Sequence, residues 1–139
     1  MPISLITGDF ALPLSKAFHQ QLLDTFDNLS IAPSISRVTV NFRDPTYSAE
    51  SGGFHPVEIS LIRHGEVWLL DYLTDFHYVG FPYPELEKAV DVSWHDGYCW
   101  LAGIGDCAIS DFVDYWQLWQ RNFVSYVQMG VFTLHVSML

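Results

Sequence analysis

Basic residues are scarce in this chain. Lysine and arginine together number 6 against 16 aspartates and glutamates, giving a formal net charge of −10 over 139 residues. The six, Lys16, Arg37, Arg43, Arg63, Lys88 and Arg121, stand singly along the sequence. Binding a phosphate backbone depends on grouped Lys and Arg that displace counterions. Nucleic acid and anionic membrane surfaces therefore make poor partners, whereas a basic protein, a cationic peptide or a metal is compatible with the charge.

Cysteine is equally sparse. Cys99 and Cys107 are the only two, with neither a CxxC motif nor zinc-type spacing, so a reduced, cytoplasmic protein is expected, with signal-free export also compatible. No run approaches the ~18 apolar residues of a membrane span. The first residues lack a basic region, and Asp9 and Pro13 interrupt the apolar stretch, which argues against a signal peptide. Gly52-Gly53 and Gly103-x-Gly105 are too short to cradle phosphates. Ser48, Ser51 and Ser110 have no Gly-x-Ser-x-Gly elbow, Cys99 falls on a core face, and Cys107 lies among Asp106 and Asp111. No cofactor is implied, and the reading is non-enzymatic.

What the chain has in quantity is apolar and aromatic mass. Half of its residues are hydrophobic, including 5 Trp, 10 Phe and 7 Tyr, which argues against disorder and for one acidic domain spanning 1–139. From Pro13 to about Leu29, Leu14, Phe18, Leu22, Phe26 and Leu29 share one helical face. Val38, Val40 and Phe42 then alternate with polar residues, as in a half-buried strand. Val57, Ile59 and Leu61 open another strand, His64-Gly65 can turn it into Val67–Tyr72, and Thr74–Val79 continues as strand until Pro82 and Pro84. Val90, Val92 and Trp94 alternate up to Asp96-Gly97, a hairpin signal leading into Tyr98–Ile104. Ser110 can cap a second helix whose face carries Phe112, Trp116, Trp119, Phe123 and Tyr126, with Gly130 ending it. Val131–Val136 reads as a last strand. The expected fold is α+β: an antiparallel meander sheet of six or seven strands with an N-terminal and a C-terminal helix packed on it.

Two constellations stand out. A two-residue Asp96-Gly97 turn places Asp91, Ser93, His95, Tyr98 and Trp100 on the face opposite the core. Large aromatics among polar groups are either half-covered by a neighbouring element or part of a contact surface. A two-residue His64-Gly65 turn sets Glu58 opposite Asp71, and like charges so opposed are destabilising. With Asp75, His77 and nearby His55 these carboxylates form a candidate metal or acid/base site. The structural alternatives are a bulge that shifts the register or an Arg lying between the pair.

The run Phe42-Arg43-Asp44-Pro45-Thr46-Tyr47-Ser48-Ala49-Glu50-Ser51-Gly52-Gly53-Phe54-His55-Pro56-Val57-Glu58-Ile59 resembles the bacterial family known as domain of unknown function 2787. Tyr72–Gly80, Tyr83–Lys88 and Asn122–Tyr126 extend the resemblance over most of the chain. It implies an uncharacterised protein often carried on mobile elements, and no activity. A weaker resemblance, in layout alone, is to the acidic mitochondrial matrix glycoprotein family that includes the receptor for complement globular heads; it implies oligomers that bind many partners. Within the first run, Arg43 can hold the loop through carbonyls or Glu50, or the loop with Tyr47 can itself bind.

The resulting expectation is an acidic protein-binding module that self-associates, with a protein partner, in keeping with a basic one. Its candidate binding residues are Tyr98, Trp100, His95, Arg43, Tyr47 and Glu50. The alternative is a small metal-dependent or acid/base enzyme using Glu58, Asp71, Asp75 and His77.

Overall fold

A computed structural model describes residues 3–139. The described elements run β1 (Leu5–Ile6), α1 (Lys16–Asp27), β2 (Arg37–Arg43), β3 (Val57–His64), β4 (Val67–Val79), β5 (Glu85–Ser93), β6 (Tyr98–Leu101), β7 (Gly105–Cys107), α2 (Ile109–Gln128) and β8 (Thr133–Met138). Strands β2 to β7 form an uninterrupted antiparallel meander, and β8 returns to pair with β2, giving the order β7-β6-β5-β4-β3-β2-β8. The short β1 lies parallel to β4, pairing at Trp68 and Leu69, where β5 has already left. The class is α+β as expected, with β1 and β7 as the strands the sequence pattern did not reveal.

Helix α1 starts later than its apolar pattern because Ser15 caps it. The Ser15 hydroxyl accepts from the Phe18 amide at 3.1 Å, and Pro13 remains in the approach rather than in the first turn. Helix α2 starts earlier than Ser110 can cap it. The ladder already begins with the Phe112 amide donating to the Ala108 carbonyl, so Ser110 sits inside the first turn. Gly130, at φ +75°, follows the end of α2 in the left-handed conformation that terminates helices without steric cost.

The two helices share one face of the sheet. Phe18, Leu22 and Phe26 of α1 and Phe112, Trp116, Trp119 and Phe123 of α2 are buried against Val38, Val40, Phe42, Ile59, Leu61, Leu73, Val90 and Val92. Along α2 the spacing of three and four stacks Trp116 on Trp119 and Trp119 on Phe123, with interplanar angles of 12° and 11°. Phe18 meets all three rings edge-on. Three of the buried indoles donate to a defined acceptor: Trp94 to Leu12 O, Trp116 to Pro13 O and Trp119 to Asp75 Oδ2. Truncating one such ring to alanine typically costs about 3–5 kcal/mol.

Two registers differ from those expected. The β3–β4 turn lies at Gly65-Glu66, pairing His64 with Val67, and a bulge at Ser60/Leu61 leaves Asp71 without a partner on β3. The displaced turn moves every partner by two positions and the bulge adds one more, so Glu58 faces Thr74 and not Asp71. The β5–β6 connection is the wider Trp94–Gly97 loop, pairing Ser93 with Tyr98, Val92 with Cys99 and Asp91 with Trp100. Since this shift is an even number of residues, the faces stay as expected and only the opposite neighbours change.

A second irregularity at Asp75/Phe76 sets Ala89 out of pairing in β5. Beyond it, β4 and β5 continue with no flanking strand, because β3 ends opposite Asp75 and β6 opposite Val90. The result is a two-stranded arm in which residues Tyr78 to Lys88 are all exposed.

Candidate functional site

The face of the sheet away from the helices is lined by alternating polar residues whose register brings five carboxylates near one another. From β3 comes Glu58, from the β4 bulge Asp71, from β5 Asp91, from the following loop Asp96, and from β7 Asp106. Four of these, Glu58, Asp71, Asp91 and Asp96, line a cavity of about 340 Å³ together with Tyr72 and Tyr98. Asp106 joins Asp91, Tyr98, Trp100 and Lys88 around an adjoining hollow of about 420 Å³.

Each inner carboxylate has defined donors. Asp71 Oδ2 accepts from Arg37 Nη1 at 2.6 Å, and the same nitrogen donates to Ser60 Oγ at 2.8 Å. Asp91, only 5% exposed, accepts from Thr74 Oγ1 at 2.8 Å, from the Tyr98 hydroxyl at 2.9 Å and from Lys88 Nζ at 3.1 Å. Glu58 Oε2 accepts from the Tyr72 hydroxyl at 2.8 Å. Burial, reinforced by the neighbouring carboxylate, pushes both phenols up to about 12: Tyr72 beside Glu58, and Tyr98 beside Asp91. Both remain protonated donors at any physiological pH. Trp100 is half-buried, with Asp91 opposite it on one side and Asp106 on the other.

The candidate residues fare unevenly against this geometry. Tyr98 and Trp100 lie side by side on the acidic face, neither sealed by another element nor fully free. His95 is exposed in the Trp94–Gly97 loop, at the rim of the 340 Å³ cavity, with its amide donating to the Asp71 carbonyl at 3.3 Å. Arg43 does not hold the following loop: its Nε donates to Asn41 Oδ1 at 2.8 Å, two residues back on the same strand. Glu50 is exposed on the loop and Tyr47 braces it, stacking on Tyr78 at 5.2 Å and accepting from the Tyr78 amide through its hydroxyl.

The residue that does hold the loop is Asp44. One carboxylate oxygen accepts from the Thr46 amide and hydroxyl, the other from the Phe54 amide at 3.0 Å. The Phe54 bond above all, then those of Thr46, hold its carboxyl below the usual carboxylate value. Asp-Pro was readable as a turn; its reach to Phe54 was not. Gly53 makes that reach feasible, since a Cβ there would stand 2.8 Å from Asp44 Oδ2.

The proposed carboxylate/histidine cluster is split between the two faces. Glu58 and Asp71 belong to the open face and are not opposite one another. Asp75 belongs to the helix face, where one oxygen accepts from Trp119 Nε1 at 2.8 Å and the other bonds His55 Nδ1 at 2.8 Å. That hydrogen bond, against the opposing effect of burial, raises the His55 pKa above its ordinary value. His77 lies near, its ring centroid 5.8 Å from that of His55. Among the described residues, no three His, Cys, Asp or Glu side chains converge to hold a metal ion.

The model of the family described as "Protein of unknown function (DUF2787)" matches residues 14–137, and the chain belongs to that family. Two solved structures from Vibrio cholerae are similar to it over nearly their whole length. One is the hypothetical protein VC0508 from the VSP-II pathogenicity island, 32% identical, with a TM-score of 0.81 over 95% of this chain and 99% of the other. The second is the conserved hypothetical protein VC1805 from pathogenicity island VPI-2, 36% identical, with a TM-score of 0.82 over 95% and 100% of the two chains. VC1805 is described as sharing structural homology with the human P32 protein, in agreement with the layout resemblance to the complement-receptor family. No curated protein matches the chain.

Proposed function

We propose that this member of the DUF2787 family is a non-enzymatic, acidic protein-binding module, a single domain that self-associates and takes Lys- or Arg-bearing segments of a protein partner on the open face of its sheet. One observation carries the reading. Lys88 already lays its ammonium on Asp91 at 3.1 Å while its own side chain is 55% exposed. A cation from the chain itself thus occupies the junction of the two acidic hollows from outside.

A partner's guanidinium reaching the same place would meet Asp91 and Asp106 with the face of Trp100 between them. Charge pairing and cation–π attraction there add together. The fixed phenols of Tyr72 and Tyr98 keep the carboxylates oriented, so little reordering accompanies binding. The test is calorimetric titration with a hexa-arginine peptide at low and at high salt. Binding that weakens with salt and is reduced in Asp91→Asn and Trp100→Ala supports the reading; equal heats for all three proteins oppose it.

A second reading, acid/base chemistry, has the His55–Asp75 pair in its favour. Both oxygens of Asp75 are engaged, by His55 and by Trp119, which suits a brace between the loop and α2. The absence of cofactor and the cytoplasmic location belong to the same proposal. No helix among the described residues is long and apolar enough to cross a membrane.

A further inference from the structure

The β4–β5 arm ends in Tyr78-Val79-Gly80-Phe81-Pro82-Tyr83-Pro84, a stretch without charge in a chain of net charge −10. Its two tip rings are almost bare: Phe81 is 98% exposed and Tyr83 is 85% exposed. Single exposed hydrophobics are ordinary on a protein surface, but a protruding group of them marks a contact. The arm is also held in position. Tyr47, from the loop fixed by Asp44, stacks on Tyr78 at its base.

At the other end of the sheet lies a cleft of about 510 Å³. Its apolar walls come from Phe10, the cross-strand pair Ile62 and Leu69, and Trp94; exposed Asp9 and Asp96 also line it. A cavity of ~150 Å³ holds a benzene molecule, so the cleft has room for two aromatic rings. We infer that the arm tip of one copy, through Phe81 and Tyr83, docks in the Phe10/Trp94 cleft of a second copy. The inference deepens the self-association in the reading above and names its surfaces.

Three features select a second copy as the occupant. The tip is the stretch of the arm that can approach another acidic molecule without like-charge repulsion, because Glu85 and Glu87 lie behind it. The Tyr83 hydroxyl and the backbone N–H groups at the tip are donors, complementary to the acceptor carboxylates of Asp9 and Asp96. The two surfaces also lie at opposite ends of β4. About ten residues of strand separate Leu69 from Val79, roughly 30 Å at the usual rise, so an arm does not fill the cleft of its own chain. The contact therefore joins two copies: exchanged reciprocally it closes a two-fold dimer, and repeated in one direction it gives a ring or an open chain.

Two aromatic rings bury ~300–500 Å², or ~600–1,000 Å² with the matching cleft surface, which places the contact among weak, transient associations below about 1,200 Å². Association is expected to depend on concentration.

The experiment is sedimentation velocity over a concentration series on the full chain, the tip variant Phe81→Ser/Tyr83→Ser and the cleft variant Leu69→Glu, with far- and near-ultraviolet circular dichroism to verify folding. The wild type is expected to grow with concentration and each variant to remain monomeric. Mixing the variants restores one intact tip and one intact cleft, and the mixture should stop at a 1:1 dimer. The tip variant should still bind hexa-arginine, which separates this inference from the open-face reading. A wild type that stays monomeric overturns it. So does association that survives in the folded tip variant, association abolished by proline in β8 and not at the tip, or a monomer whose tip binds lipid vesicles instead.

Discussion

Arg37 Nη1 lies 2.6 Å from Asp71 Oδ2, joining β2 to β4 across the whole width of β3. Ser60, the β3 residue between them, shares the same nitrogen at 2.8 Å. The bulge makes the contact feasible, because it turns Asp71 toward the open face instead of leaving it in the ladder.

Arg37→Met leaves the 8%-exposed Asp71 without its cation. An orphaned buried acceptor typically costs about 1–3 kcal/mol, and urea unfolding should show a loss of that size. The double variant Arg37→Met/Asp71→Asn should recover part of it, since the remaining group is neutral. Additive losses would mean that the two residues do not interact.

Gly53 and Gly52 make a controlled comparison. Both have positive φ, but a Cβ at Gly52 meets open space, whereas one at Gly53 meets Asp44 Oδ2 and the Tyr47 backbone. Gly52→Ala should cost about 1–2 kcal/mol from the left-handed conformation alone. Gly53→Ala should cost more and release the amide of Phe54 to faster hydrogen exchange, because the loop must open to admit the methyl group.

These residues show why some of the structure was legible and some was not. Period-two and helical patterns identified Val38, Val40 and Phe42 and the α2 face because burial of a side chain follows directly from its place in the repeat. The Asp91, Ser93, Tyr98 and Trp100 face was readable for the same reason, despite the wrong hairpin register. The Glu58/Asp71 opposition was not a real pairing, since the turn lies one residue later than its Gly signal suggests and a bulge, which has no signature in hydropathy, reverses the faces beyond it. Tyr72 and Lys88 could not be placed beside Glu58 and Asp91 without those bulges. The arm was hidden because its strand pattern looks like any other strand; only the missing neighbours on both sides make it protrude.

His55 should titrate above its ordinary value of 6.5, because the carboxylate of Asp75 favours the charged ring. The sign of the linkage follows: its stabilising contribution is complete below pH 6.5 and is lost as pH rises through the raised native pKa. The stability difference between wild type and His55→Ala should therefore be larger in mildly acidic solution than in alkaline solution. An NMR titration of the ring, lowered in Asp75→Asn, checks the cause.

The two thiols should differ in reactivity. Burial pushes the Cys99 thiol up to about 11, while its cross-strand partner Cys107 is half-exposed. At neutral pH iodoacetamide should label Cys107 first and reach Cys99 only on addition of denaturant. Equal labelling of the native protein would show that β6 and β7 open readily.

The open face is tested most directly by amide and indole NMR shifts recorded during titration with hexa-arginine. Changes concentrated at Tyr72, Lys88, Asp91, Tyr98, the Trp100 indole and Asp106 are expected, reversed by salt and much reduced in Asp91→Asn. Saturating binding whose shifts fall instead on the helices or on β8, leaving the Trp100 indole unmoved, would contradict the assignment of that face.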